Sequence, residues 1–291
     1  MFRAIIVATA AVSLAAAPQN QKAAAARNVD VYAGVVDSNG KAVTGLGAAD
    51  FAVKEDGVTR EVLKVAPATE PLQVVLVIDD SQAATPAIQF LRDGLNTFVT
   101  KLSGHGDIAL VTIGERPTSV VEHTTDPEAL KKGITRIFAR PGSGTYFTEG
   151  IEEVTKGLQK RETKRPVIVA VFIEATEFSH PDHTQALKAL YASRAQLHVL
   201  AVGTPATSTN EEIRNRNRVI DEGTSATGGR RDQLLAAQAI PERLTQVADE
   251  LLNQYVITYA RPESLIPPEK AQISTPRRGL TVHAGTRAAG K

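Results

Sequence analysis

Asp79, Asp80 and Ser81 follow directly on the apolar run Val74 to Ile78 and lead into a stretch with helical spacing. A carboxylate and a hydroxyl are thereby carried to the C-terminal end of a strand. In an open α/β sheet the crevice outside those strand ends is where ligands sit, and oxygen donors gathered there suit a hard cation such as Mg2+. The plainer alternative for the triplet alone is a helix start, where Asp and Ser cap free N–H groups. A second group, Glu177, His180, Asp182 and His183, combines imidazoles and carboxylates that could ligate a metal. Against that, Pro181 suits the start of a helix and Asp182 its first turn, where negative charge is favoured, so a polar surface loop is the preferred reading.

Other catalytic signatures are missing. Gly142-Ser143-Gly144 and Gly150 match neither phosphate-loop spacing, and the chain has no G-x-S-x-G and no H-E-x-x-H. With no cysteine there is neither a thiolate nucleophile nor a disulfide. The glycines of Ser225-Ala226-Thr227-Gly228-Gly229-Arg230 most simply serve a tight turn. His105, His123, His198 and His283 are scattered and receive no role. Arg214, Arg216 and Arg218 alternate with asparagine on a helical stretch and read as a solvated face. The 33 basic and 32 acidic side chains give a net charge of +1, and aromatics make up only 4%. Neither a phosphate-binding field nor a base-stacking surface is present, so nucleic acid is excluded as a partner.

The elements that must carry these residues follow from the apolar pattern. At 291 residues and 42% hydrophobic content, a full core is expected. Val29, Val31, Ala33 and Val35 alternate like a half-buried strand, and Phe51 to Val53 and Glu61 to Val65 continue the theme between the turns Asp37 to Gly40 and Glu55 to Gly57. Residues 27–66 are therefore predicted to be a small β unit, and 67–71, with two prolines, a linker. From Leu72 to Arg261 strands and helices alternate. Strands are expected at Val74 to Ile78, Ile108 to Ile113, Ser119 to Glu122, Val167 to Ile173, Leu197 to Val202 and Tyr255 to Tyr259. Helices fall between them. This predicts an α/β fold, doubly wound, with a mostly parallel six-stranded sheet covered by helices on both faces. Residues 262–291 read as a β segment of two short strands around Arg277-Arg278-Gly279. We expect it to return to the N-terminal β unit, which alone is too small for a stable core.

Residues 1–26 have the form of a secretory signal peptide: a short basic start, the apolar run Ala4 to Ala17, and small residues beyond. The run is shorter than the roughly 20 residues that span a bilayer, so an exported protein without a permanent membrane span is expected, periplasmic or secreted.

The order of elements and the loop Asp79 to Ala83 resemble a von Willebrand factor type A domain, over roughly residues 72–261. The stretch Val43 to Gly57, of form V-x-G-L-x-x-x-D-F-x-V-x-E-D-G, and Gln254-Tyr255-Val256-Ile257-Thr258-Tyr259 resemble a bacterial family of exported proteins related to that domain. The resemblance implies a metal-ion-dependent adhesion site in which Mg2+ or Mn2+ is held by Asp79, Ser81, Thr145 and Glu174. Two positions depart from the family's D-x-S-x-S, threonine and aspartate pattern. Ala83 stands where a second ligand serine belongs, and Glu174 stands for the aspartate with one methylene more. The site is thus degenerate, either a weak cation site or a loop scaffold that keeps only its shape.

What the resemblance implies is a non-enzymatic adhesion or scaffold module that binds a protein partner, with an acidic partner residue completing the metal shell. Its surface would comprise Asp79 to Ala83, Gly142 to Thr145 and Glu174 to Asp182. Two alternatives remain open. One is a metal-dependent hydrolase using Glu174, Glu177, His180 and His183, and the other a purely structural envelope protein.

Overall fold

The computed structural model describes residues 26–161, 163–205, 210–263 and 266–287. The targeting segment read over 1–26 lies outside them, except for Ala26, where the first strand opens.

The centre of the molecule is a six-stranded sheet built from β5 (Leu72–Ile78), β6 (Gly106–Thr112), β7 (Thr118–Thr124), β8 (Pro166–Ile173), β9 (Gln196–Val202) and β10 (Arg231–Leu234). Its order is β10-β9-β8-β5-β6-β7, and only the edge strand β7 runs antiparallel. Every residue of β5 is buried, because helices cover both of its faces. Leu72, Val74, Leu76 and Ile78 face α1 (Ile88–Leu102), α2 (Pro127–Ile134) and α6 (Ile240–Leu252). Val75 and Val77 face α3 (Phe147–Gln159), α4 (His183–Ser193) and α5 (Glu211–Thr227). This is the doubly wound α/β architecture expected from the apolar runs.

One strand assignment is corrected. Tyr255–Pro262, β11, does not close the parallel sheet. It lies between β1 (Ala26–Asp37) and β4 (Val62–Pro67) in an antiparallel sheet whose order, with β13 (Leu280–Ala284), is β13-β1-β11-β4. The alternating burial of β11 already differs from the continuous burial of β5, β8 and β9, because only one of its faces meets a core. The sixth strand of that sheet is β10, whose sequence Arg-Asp-Gln-Leu carries no apolar run. As an edge strand it needs little burial.

A third sheet joins β12 (Ala271–Ser274), β2 (Ala52–Glu55) and β3 (Val58–Arg60). β12 pairs with β2, and β13 pairs with β1. A separate core fills this β region, with Val29, Val35, Phe51, Val53, Ile257 and Tyr259 among its members. The two flanking sequence motifs meet here. Tyr255 Oη accepts from Leu46 N at 3.2 Å and donates to Val43 O at 2.9 Å, and Tyr259 Oη donates to buried Glu55 at 2.6 Å. Burial works to raise the Glu55 pKa, but hydrogen bonds from Arg261, Tyr259 and Arg60 outweigh it and hold the carboxyl below its usual range.

Candidate functional site

β5 is the point where the sheet order reverses, with β6 on one side and β8 on the other. The crevice beyond its C-terminal end is therefore the expected ligand position. Asp79 and Asp80 leave the strand there, and both are buried.

Asp79 ties three segments together. Oδ1 accepts from Ser81 N at 2.8 Å, and Oδ2 accepts from Thr145 Oγ1 and from Ile173 N, each at 2.9 Å. Burial pushes its pKa up, opposed by the backbone N–H groups of Ile173 and Ser81. Asp80 clamps the next loops: Oδ1 accepts from Gly114 N at 2.7 Å, and Oδ2 accepts from Arg140 Nε at 2.7 Å. Arg140 N also donates to the Asp80 carbonyl, which seats the segment that runs on to Thr145. Ser81 stands at the N-cap of the short turn Gln82–Ala87 but makes no capping hydrogen bond. Its buried Oγ caps no backbone N–H and instead interacts with the Asp79 carboxylate, so helix capping does not explain the triplet.

Thr145 is fixed twice, by its hydroxyl to Asp79 and by backbone bonds to Thr176 and Phe178. Glu174 follows the end of β8, and its side chain is nearly fully buried. Its Oε2 accepts from Arg216 Nη2 at 2.6 Å. Arg216 was expected on a solvated face, and the structure overturns this. Its guanidinium is wholly buried and lies 4.7 Å from the centre of the Phe172 ring. The signal was in the helical phase, since Ile213, Arg216 and Ile220 share the inward side of α5. Alternation with asparagine hid it.

The second cluster does not gather. Glu177 is buried, its Oε1 accepting from Phe147 N and Ser179 N. Burial pushes its pKa up to about 7. His180 is exposed, Asp182 caps α4 by accepting from Thr184 N, and His183 Nδ1 meets Asn215 Oδ1 at 2.9 Å. Among the described residues, no three His, Cys, Asp or Glu side chains form a group able to hold a metal.

Asp79, Ser81 and Thr145 are brought together, so three oxygen-bearing side chains meet at one point. Mg2+ asks for near-octahedral oxygen coordination. Ala83 offers only a methyl group, and the Glu174 carboxylate is already neutralised by a buried cation. The residues present do not fit a fully ligated divalent ion.

Above this frame lies a shallow concavity of about 260 Å3, bordered by Glu115, Pro141 to Gly144, Tyr146 and Phe178. Phe178 is 45% exposed, and its ring lies 6.0 Å from that of Tyr146. A Cβ on Gly144 would stand 2.1 Å from the Phe178 ring, so glycine is what lets the aromatic lie flat over the loop.

Residues 74–175 match the family model of the von Willebrand factor type A domain. Among solved structures, the chain is similar to a von Willebrand factor type A protein from Catenulispora acidiphila, at 10% identity and TM-score 0.51, over 92% of this chain and 74% of that one. It is similar to proximal thread matrix protein 1 from the mussel byssus at 13% identity and TM-score 0.50, over 65% of this chain and 49% of that one. A third, BatB from Bacteroides thetaiotaomicron, shares 14% identity at TM-score 0.48, over 62% of this chain and 98% of that one. At such identities the likeness is one of fold. No curated protein matches the chain.

Proposed function

We propose that this chain is an exported, non-enzymatic protein-binding module, a reading supported by the match of residues 74–175 to the family model of the von Willebrand factor type A domain. Its contact surface is the C-terminal edge of the parallel sheet. The observation that carries this reading is the exposed Phe178 ring beside a concavity whose loops are pinned from below by buried Asp79, Asp80 and Glu177. Exposed aromatics next to a pocket are typical binding anchors, and loops that are already ordered lose little entropy on association.

The partner contact that fits is an apolar or aromatic side chain entering beside Phe178. Mg2+ or Mn2+ at Asp79, Ser81 and Thr145 would be weakly held, and an acidic partner residue would then lack the ion it needs. Recognition therefore runs without metal. The hydrolase reading is disfavoured by the scattered placement of His180, His183 and Glu174, and a purely structural role leaves the exposed aromatic unexplained. No helix among the described residues is long and apolar enough to cross a membrane.

The test is affinity purification from the producing cell's envelope fraction, in EDTA and in Mg2+, beside a Phe178→Ser variant. A partner retained in EDTA and lost from the variant is expected. Equal retention by the variant would overturn the assigned surface, and retention only with Mg2+ would overturn the metal-independent mode.

A further inference from the structure

We infer a second binding site, for a small anion carrying a flat apolar part, at the opposite end of the parallel sheet. A cavity of about 630 Å3 opens where the start of β8 meets β1, the end of α4 and the C-terminal segment. That volume lies within the range of small-molecule pockets. The whole length of β8 separates it from Glu174, so it is not part of the crevice described above.

The charge of its walls is one-sided. Among the described lining residues, Lys164, Arg165, Arg194 and Arg287 face a single carboxylate, Asp30, which is bonded to the Thr258 hydroxyl at 2.6 Å. Arg165 carries the argument. It is only 5% exposed, and its Nη atoms donate solely to neutral acceptors: the carbonyls of Glu70 and Leu251, and Gln254 Oε1. Its Nε is buried without a partner. The Glu70 carboxylate is engaged by Lys164 at 3.0 Å. Among the described residues, no carboxylate is hydrogen-bonded to this buried guanidinium, which Glu70 reaches only through space; that is costly, and an anion in the cavity supplies a direct charged partner.

Two further arginines reach the mouth. Arg194 closes α4 in a left-handed backbone at φ 58°, the C-cap of that helix, and lines the cavity. Arg287 stacks on Tyr191 at 4.2 Å and Arg165 on Tyr32 at 5.4 Å, leaving guanidinium edges for an anion beside aromatic faces. These rings, with Val31 and Val167, provide the apolar half of the site.

The probe is naphthalene-2-sulfonate, titrated calorimetrically into the full chain at low and at high salt. Saturable binding is expected, weakened by added salt, absent for the neutral naphthalene-2-sulfonamide, and reduced about tenfold or more in an Arg194→Ala, Arg287→Ala double variant. Both arginines are exposed, so the variant should fold, and an unchanged unfolding midpoint checks this. Absence of saturable binding at millimolar sulfonate, equal binding of the sulfonamide, or equal affinity in the folded double variant would each overturn the assignment.

Discussion

Arg216 Nη2 donates to Glu174 Oε2 across 2.6 Å, and neither side chain has appreciable contact with water. The pair joins α5 to the end of β8, so a helix on one face of the sheet is locked to the rim of the crevice. Removing one partner leaves the other charged and buried. Arg216→Met should cost about 3 to 5 kcal/mol in urea unfolding, whereas Arg216→Met with Glu174→Gln should recover most of that. A double variant no more stable than the single one would show that the pair is not an energetic unit.

The same pair governs the metal question. If Glu174 is neutralised by Arg216, Mg2+ and Mn2+ should show no tight, saturable binding in a calorimetric titration. Asp79→Ala should then leave the titration unchanged while lowering stability, because Thr145 and the N–H groups of Ser81 and Ile173 lose their acceptor. Each orphaned buried partner costs roughly 1 to 3 kcal/mol. Micromolar Mg2+ affinity that vanishes in the variant would restore a live cation site.

The legible parts of this chain were those in which one physical signal dominated. Continuous apolar runs at Val74, Ile108, Val167 and Leu197 mark strands buried on both faces, and the helices between them keep a clean 3.6-residue period. β10 was not legible because an edge strand buries little, and β11 was misplaced because a strand's partner sheet is a long-range property. The positions of Asp79, Ser81, Thr145 and Glu174 follow from the order of elements. That Arg216 reaches Glu174 does not, since it depends on the packing of α5 against Phe172. The role of Asp80 as a loop clamp was hidden for the same reason: its partners, Gly114 and Arg140, are distant in sequence.

Gly34 and Glu250 test how β1 is fastened to α6. Glu250 is buried, and its carboxylate is pinned by His283 at 2.7 Å and by Arg230 at 3.2 Å. A Cβ on Gly34 would lie 2.3 Å from Glu250 Oε1 and 2.8 Å from its Cγ. The carboxylate has little freedom to retreat, because moving it breaks both ion pairs. Gly34→Ala should therefore destabilise by about 1 to 3 kcal/mol, read as a lower urea midpoint. A neutral Gly34→Ala would mean that the network yields. Glu250→Gln should weaken stability mainly above pH 4.5, since its depressed carboxyl contributes stability only where the unfolded chain is ionised.

Glu177 and His198 bias stability in opposite directions over one pH range. Burial raises Glu177 from 4.5 to about 7, so between those values the folded state holds a proton that the unfolded chain has lost, and stability falls as pH rises. Burial lowers His198 from 6.5 to about 4, so there the unfolded chain holds the extra proton, and stability falls as pH drops. In the wild-type protein the two slopes largely offset between about pH 4.5 and 6.5. Glu177→Gln removes one of them. The variant should match or trail the wild type at pH 4 and gain on it steadily up to pH 8, by about 3 kcal/mol at most. Its stability should then rise with pH through the histidine's window, driven by His198, while the depressed carboxyls of Glu55 and Glu250 act below about pH 4.5. Urea midpoints taken between pH 4 and 8 decide the matter. A difference between variant and wild type that stays constant across that range would mean that Glu177 is ionised, and compensated, in the folded protein.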